Sequence, residues 1–369
     1  MRKYLFFAVI VLFLSSCSSL PKRSEVISLM EKANNYWQSH NNPENRAFWD
    51  NAAYHTGNLA AWEVTKNDEW LAYTKRWAEH NHYRGANSDD TSKWIYSYGE
   101  RDENVLFGDW QICFQVYADL YQLEPDSQKI ARAREVMEYE MSTPEVDYWW
   151  WADGLYMVMP VMTRLYKITS NPLYLEKMYT YFKYAQSIMY DEETGFFYRD
   201  AKYVYPKHTS LNGGKDFWAR GDGWVLAAFA RVLQDLPKTD NHRDEYIQIY
   251  KKLAKAVKDS QQPEGYWTRS ILDAEHAPGP ETSGTAFFTF GLSWGINNGY
   301  LDKKEYLPTV LSAWNYLSTV AMQEDGCLGY VQPIGEKAIP GQTLNERSTA
   351  NFGVGAFLLA SSELSKLCN

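Results

Sequence analysis

Apolar residues recur along most of the chain with the three-to-four-residue spacing of amphipathic helices. In residues 247–257, for example, Ile247, Tyr250 and Leu253 fall on one helical face. This spacing predicts twelve helices, near residues 24–39, 47–64, 68–82, 110–122, 127–141, 150–168, 172–188, 218–235, 243–259, 282–298, 304–320 and 347–366. No alternation of apolar and polar residues is long enough to predict a second, β-rich domain. The sequence therefore predicts one all-α domain over residues 24–369.

A turn followed by a helix start recurs weakly along the chain, at residues 67–71, 171–175, 244–247 and 304–307. Twelve helices arranged as six hairpins suggest an (α/α)6 barrel, and an α-solenoid is the alternative. Long, irregular, aromatic-rich segments at 84–108, 189–216 and 262–281 favour the barrel, because they could gather at one end as a binding face.

The N-terminus has the pattern of an export signal. A basic start at residues 1–3 is followed by an apolar run at 4–14, which is too short to span a membrane. The run ends in L-S-S-C at residues 14–17, which resembles a bacterial lipobox. We therefore expect a signal peptide over 1–16 and a short linker over 17–23. Cys17 would be lipidated and would anchor the protein to a membrane of the bacterial cell envelope, on the periplasmic side or the cell surface. Ordinary secretion with cleavage nearby is the alternative.

The formal net charge of −9 argues against binding to nucleic acid or to an anionic membrane surface. Fifteen tryptophans and 28 tyrosines would suit a carbohydrate groove, although they could also fill a large helical core. The three cysteines beyond Cys17 are widely spaced, and the seven histidines have no ligand-like spacing. We expect no disulfide framework, no metal and no cofactor.

The sequence F-W-A-R-G-D-G-W at residues 217–224 runs directly into an apolar helical pattern. Glycine allows close approach of the backbone to a ligand, and a helix N-terminus offers free N–H groups to an anion. Arg220 adds a permanent charge whose fork fits a carboxylate, and the faces of Trp218 and Trp224 suit sugar rings. The plainer interpretation is a glycine-rich turn before a buried helix.

Two aspartates are candidates for acid–base chemistry. Asp153 follows Tyr148 and three tryptophans, and this apolar surface should raise its pKa enough for it to act as a general acid near neutral pH. A helix cap before Gly154 is the alternative role. Asp109 precedes another helical pattern, where it too could be an N-cap, and Asp102 is a nearby rival.

Three blocks in order resemble the unsaturated rhamnogalacturonyl and glucuronyl hydrolases of glycoside hydrolase family 105, which are related to family 88. The blocks are W-A-D-G-L-Y-M at 151–157, W-A-R-G-D-G-W at 218–224, and E-T-S-G at 281–284 followed by G-L-S-W-G-I-N-N-G at 291–299. The resemblance spans roughly residues 30 to 365 and implies the (α/α)6 barrel. It implies no metal. Asp153 matches the catalytic aspartate of that family, and Asp109 matches a second aspartate whose block is altered here by Trp110 and Phe114.

The same resemblance implies further roles around the substrate. His55 lies in a segment that places a side chain at the sugar, although a core histidine is an equally good interpretation. Arg199 stands where relatives often carry a histidine. Ser283 and Gly284 match a turn that recognises the uronate carboxylate, and their alternative role is to cap the following helix. Arg220 and Arg199 would help to neutralise that carboxylate, and the two tryptophans would wall the sugar.

The implied reaction removes a terminal 4,5-unsaturated uronic acid from an oligosaccharide released by a lyase. Asp153 would protonate C4 of the vinyl ether and then help water to add at C5, so that the glycosidic bond opens as a consequence. The parent polymer stays open between pectin, ulvan, arabinogalactan and glycosaminoglycan. Alternatives are an α/α-barrel polysaccharide lyase, a sugar epimerase, or a lipid-anchored glycan-binding protein without activity.

Overall fold

The computed structural model describes residues 20–368. The predicted signal peptide, Cys17 and the first part of the predicted linker lie outside the described residues. The helices are α1 (Arg23–His40), α2 (Trp49–Thr65), α3 (Asp68–His80), α4 (Cys113–Leu123), α5 (Gln128–Ser142), α6 (Ala152–Thr169), α7 (Leu173–Met189), α8 (Ala219–Asp235), α9 (Arg243–Asp259), α10 (Thr282–Asn297), α11 (Lys303–Tyr316) and α12 (Asn351–Leu367). Each predicted helix is confirmed, with boundaries that shift by a few residues.

The even-numbered helices form a closed inner ring. Contacts run from α2 to α4, α6, α8, α10 and α12, and α12 returns to α2. The odd-numbered helices pack outside this ring, each against an inner neighbour. The α2–α12 contact is close, because a Cβ on Gly57 would lie 2.1 Å from the carbonyl oxygen of Gly355. The predicted all-α (α/α)6 barrel is therefore confirmed, and within residues 20–368 β pairing is limited to isolated bridges.

The two ends of the barrel differ in their connections. Segments 41–48, 81–112, 143–151, 190–218, 260–281 and 322–350 all lead into the N-termini of the inner helices. At the opposite end the connections are short, such as residues 66–67 and 170–172. The long segments therefore gather over one mouth of the barrel, as the sequence predicts for a binding face.

Free cysteines are found at Cys113, Cys327 and Cys368, each buried. Between residues 20 and 368, no helix has both the length and the apolar character needed to cross a membrane.

Candidate active site

The first turns of the inner helices, or the residues just before them, carry polar side chains at the open mouth. These are Asp50, Asp109, Asp153, Arg220, Ser283 and Asn351, one from each inner element. Because every inner helix points its N-terminus at this mouth, several positive helix ends also converge there. The mouth can thus stabilise carboxylates and other anionic groups, although the chain as a whole has a negative net charge.

Asp153 lies in the first turn of α6 and does not cap it, because the N-cap residue is Trp151. The side chain is 13% exposed, and its Oδ1 accepts no hydrogen bond within the described residues. Burial raises the pKa of Asp153, while the charges of Arg199 and then Arg220 oppose the rise. The result is a carboxyl group that is close to solvent and retains its proton to a higher pH than an ordinary aspartate.

Asp109 lies in a short 3-10 turn, Gly108–Trp110, and makes no cap for α4. It is 6% exposed. Burial raises its pKa well above the ordinary range, and the second cause is the charge of Asp153. The charge of Asp153 therefore adds to burial in disfavouring ionisation of Asp109. The rival Asp102 is exposed and lies outside this pair.

Arg199 is the cation beside this pair. Its Nε lies 3.7 Å from Oδ1 of Asp153, and this nitrogen donates no hydrogen bond within the described residues. Its Nη1 lies 2.7 Å from Oδ2 of Asp200 and 3.3 Å from Oε2 of Glu336. The side chain is 12% exposed, so it is not fully closed off from a ligand. Arg199 thus occupies a place at the mouth next to Asp153.

The position of Arg220 contradicts the expectation that it neutralises the substrate carboxylate. It is 1% exposed, and it donates to the carbonyl oxygens of Gln332 at 2.6 Å and Pro333 at 2.8 Å. The guanidinium lies 4.6 Å from the ring centroids of both Trp218 and Phe352. Burial lowers its pKa to about 10. Its fork is thus engaged with the backbone of a distant segment and is not free to clamp a substrate carboxylate.

The expectation that Trp218 and Trp224 wall the sugar is also wrong. Trp224 has no exposed surface and packs in the core against Phe287 at 4.2 Å and Tyr156 at 4.9 Å. Trp218 is 4% exposed, and its Nε1 donates to Oε1 of Gln332 at 2.8 Å. Trp224 therefore fills the barrel instead of walling a sugar, and Trp218 supports the segment that contains Gln332.

The turn at Ser283 and Gly284 does hold a carboxylate, but the carboxylate belongs to Glu281. The backbone N–H groups of Ser283 and Gly284 donate to Glu281 at 3.0 and 2.6 Å, and the Ser283 hydroxyl donates to it at 2.7 Å. Glu281 caps α10, so the alternative role of Ser283 and Gly284 as the cap is wrong. A Cβ on Gly284 would lie 2.9 Å from the backbone of Ala219, so this glycine permits α8 and α10 to meet. Neither residue is free to bind the uronate.

His55 has a mixed position. Its ring stacks on Trp77 with centroids 4.2 Å apart, and its Nδ1 bonds with the Thr74 hydroxyl at 2.9 Å. Burial lowers its pKa well below the ordinary value, so the ring is neutral. It also lines a cavity of about 280 Å³ together with Asp50 and Asn351. His55 is thus a core histidine with one side toward a polar cavity at the mouth.

Comparison with known proteins identifies the family. The profile of glycosyl hydrolase family 88 matches residues 23–368. The chain belongs to glycosyl hydrolase family 88. The resemblance to the unsaturated uronyl hydrolases is thereby confirmed, and the protein is a glycosidase.

The family 88 chain is similar to several characterised or solved proteins. It is 34% identical over 330 residues to an unsaturated 3S-rhamnoglycuronyl hydrolase from Formosa agariphila, covering 86% of this chain and 84% of that one. A solved family 88 hydrolase from Bacteroides vulgatus is 57% identical, with a TM-score of 0.92 and coverage of 94% and 99%. A solved protein described as a polysaccharide lyase is 67% identical, with a TM-score of 0.92 and coverage of 94% and 98%. Residues 1–18 match a prokaryotic membrane lipoprotein lipid attachment site.

Sequence reasoning missed the part that Asp222 plays in this family 88 site. Its Oδ1 accepts a hydrogen bond from the backbone N–H of Phe197 at 2.8 Å, and its Oδ2 has no partner within the described residues. Burial raises its pKa well above the ordinary range. Two residues after Phe197 comes Arg199, whose carbonyl accepts from the N–H of Ala152 at 2.8 Å. Asp222 therefore helps to hold Arg199 beside Asp153.

Proposed function

We propose that this family 88 enzyme removes a terminal 4,5-unsaturated uronic acid by hydrating its double bond, with Asp153 and Asp109 as the acid–base pair. The observation that carries the assignment of residues is the buried carboxyl pair at the open mouth, with both pKa values raised by burial. A carboxyl whose pKa is raised keeps its proton to a higher pH than an ordinary aspartate, so it can donate that proton to carbon and take one back from water.

The steps balance with one proton and one water. Asp153 gives its proton to C4 of the vinyl ether, and positive charge develops at C5 and the ring oxygen. Water adds at C5 and returns a proton to Asp153. The resulting hemiketal opens to a ketone, and the hemiacetal left at C1 then releases the alcohol of the next sugar. Asp109 would hold the sugar hydroxyls or the water, and a single positioned acid–base group contributes about 10²–10⁴-fold.

Arg199 is the cation that we propose for the substrate carboxylate. Among residues 20–368 its Nε has no hydrogen-bond partner, and it lies 3.7 Å from Oδ1 of Asp153. The carboxylate of the unsaturated ring is attached at C5, next to the carbon that Asp153 would protonate. An arginine in this place would bind the carboxylate while the reacting carbons stay near the carboxyl pair.

For the sugar on the other side of the bond, we propose rhamnose. The support is the relative from Formosa agariphila, whose described activity is that of an unsaturated 3S-rhamnoglycuronyl hydrolase. An unsaturated uronyl–rhamnose should therefore be turned over faster than an unsaturated uronyl–hexosamine. Equal rates, or a preference for the hexosamine, would contradict this choice.

The activity is tested by the ultraviolet absorbance of the conjugated double bond. Incubation with an unsaturated uronyl–rhamnose should remove the absorbance, whereas a lyase acting on the polymer would create it and an inactive binding protein would leave it unchanged. Asp153→Asn should lower kcat by about 10³-fold. The matched control is Asp102→Asn, the same change at an exposed aspartate outside the pair. Normal turnover by the Asp153 variant would remove that residue from the mechanism.

We also propose that signal peptidase II cleaves before Cys17 and that lipid on Cys17 holds the enzyme at the periplasmic side or the cell surface. The support is the lipid attachment match over residues 1–18. Cys17→Ala should release the enzyme from the membrane fraction with its specific activity unchanged. A mature protein without covalent lipid would contradict this proposal.

A further inference from the structure

The segment at residues 94–98 forms a shallow aromatic cleft beside the site. The cleft holds about 600 Å³ and is lined by Trp94, Ile95, Tyr96, Ser97, Tyr98 and Trp150. Tyr98 is 66% exposed, so its ring is available for contact with another molecule. The acid–base chemistry described above makes no use of this surface.

Ring contacts connect this cleft to the carboxyl pair. Tyr98 meets Phe107 edge-on with centroids 5.8 Å apart, and Phe107 lies 6.4 Å from Trp150 in a stacked arrangement. Phe107 comes just before Gly108 and Asp109 in the chain. The guanidinium of Arg199 lies 5.8 Å from the Trp150 ring and its Nε lies 3.7 Å from Asp153. The cleft therefore continues directly from the place where the reacting sugar would sit.

The backbone that carries these rings is fixed. Ile95 donates to the carbonyl of Glu103 at 2.9 Å and accepts from Leu106 at 3.2 Å. The buried side chain of Asn104 donates to the carbonyl of Ser97 at 2.9 Å. The Tyr96 hydroxyl donates to Asp147 at 3.1 Å. Because the backbone leading to Tyr98 is held in this way, little backbone freedom is lost when a ligand binds, so stacking against the Tyr98 ring adds to affinity.

We infer that this cleft, the aromatic platform of Tyr98 and Trp150, binds the sugars that lie beyond the scissile bond. This inference rests on the proposed function. The unsaturated uronate is the terminal sugar, so the remaining chain must leave the site in one direction. Flat aromatic faces match the C–H faces of pyranose rings, with Trp150 under the first sugar past the bond and Tyr98 under a later one. The enzyme should therefore prefer longer oligosaccharides over the disaccharide.

The test compares kcat/KM for an unsaturated disaccharide and an unsaturated tetrasaccharide of the same uronate–rhamnose repeat. The wild type should favour the tetrasaccharide. Tyr98→Ala should reduce the tetrasaccharide-to-disaccharide ratio about 3- to 10-fold, mainly through KM, as expected for the loss of one ring contact. Tyr98→Phe keeps the ring and should keep the ratio. Leu123→Ala, which truncates a side chain 42% exposed at the far end of the barrel, is the matched control.

A wild-type ratio of one, or a ratio unchanged in Tyr98→Ala, would overturn the inference. Calorimetry of tetrasaccharide binding to Asp153→Asn, with and without Tyr98→Ala, separates the platform from the proposed reaction. If the enzyme turns over neither oligosaccharide but Tyr98→Ala still weakens binding, the reaction is wrong and the platform stands. If Tyr98→Ala instead reduces attachment of the Cys17→Ala protein to phosphatidylethanolamine–phosphatidylglycerol vesicles and leaves the sugar ratio intact, the surface contacts membrane and the inference fails.

Discussion

Replacing Arg220 with alanine should destabilise the fold and impair catalysis together. The change deletes hydrogen bonds to the carbonyls of Gln332 and Pro333, at 2.6 and 2.8 Å. Each bond to a charged group contributes about 1.5–3 kcal/mol, and the relief of burying a guanidinium offsets part of the sum. A net loss of about 3 kcal/mol follows, similar to the cost of removing one partner from a buried charged contact.

The catalytic effect comes from the segment that Arg220 holds. Residues 331–337 carry Glu336, which pairs with Arg199 at 3.3 Å beside Asp153. A small displacement of this segment should move Glu336 into the space beside Arg199 and Asp153 where the substrate carboxylate would bind, and lower kcat/KM by on the order of 10- to 100-fold. Arg220→Lys keeps a charge but cannot reach both carbonyls in the same fork, so its losses should be intermediate.

Arg243→Ala is the matched control for this experiment. Arg243 is also a buried arginine that donates to backbone carbonyls, those of Leu236 at 2.6 Å and Leu233 at 3.0 Å, but at the opposite end of the barrel. Urea denaturation and steady-state kinetics should show that Arg243→Ala loses stability alone. An Arg220→Ala enzyme with unchanged stability and a raised KM would refute the anchoring role and restore a direct clamp on substrate.

Two further predictions concern buried acids. Asp222→Asn should retain activity because the amide oxygen still accepts from Phe197, whereas Asp222→Ala should lose activity as Arg199 moves; equal kinetics in both variants would contradict the role. Burial raises the pKa of Glu140 from 4.5 to about 8, so the folded state binds the extra proton and stability falls as pH rises from about 4.5 to 8. In the wild type the melting temperature should be a few degrees lower at pH 8 than at pH 5, and Glu140→Gln should remove this difference. If the melting temperature of Glu140→Gln changes with pH as much as that of the wild type, Glu140 is not the cause.

The helices and the crowded end of the barrel could be predicted because each depends on residues that are close together in the sequence. Helical spacing predicted each of the twelve helices, and the long aromatic segments predicted which end of the barrel would be crowded. The buried environment of Asp153 was also predictable, since its apolar neighbours precede it directly in the chain. These inferences required no knowledge of which distant segments meet.

The roles within residues 217–224 depended on distant partners and could not be predicted in that way. Arg220 bonds to carbonyls 112 and 113 residues away, and Asp222 bonds to Phe197 from 25 residues away. An arginine between tryptophans has the same local sequence whether its fork meets a ligand or a backbone. Glu281 gave one usable signal, an acid placed just before a helix start, but the sequence did not indicate that it would occupy the turn expected to bind substrate.

Residues 217–224 therefore have a structural role, with contacts to three separate parts of the barrel. Trp224 packs into the core, Asp222 holds the segment that leads to Arg199, and Arg220 holds the segment that leads to Glu336. The two supported segments meet in the ion pair between Arg199 and Glu336. The negative charge of Glu336 therefore lies beside the arginine that we propose for the substrate carboxylate.

Glu336→Gln should lower KM for the anionic substrate by about 2- to 5-fold, the scale of a partly exposed charge interaction. Glu336 is 44% exposed, and its Oε2 lies 3.3 Å from Arg199 and 3.2 Å from Lys202, so it competes with an incoming carboxylate for both cations. The hydroxyl of Tyr203 donates to its Oε1 at 2.6 Å, and glutamine can still accept that bond.

Glu124→Gln makes the same change in net charge at an acid 61% exposed at the far end of the barrel. It should leave KM unchanged, which would separate the local effect of Glu336 from the overall field. The gain in Glu336→Gln should shrink as ionic strength rises, because salt screens exposed charges. A raised KM in Glu336→Gln would mean that Glu336 orients Arg199 for the substrate, and the competition between the two carboxylates would have to be abandoned.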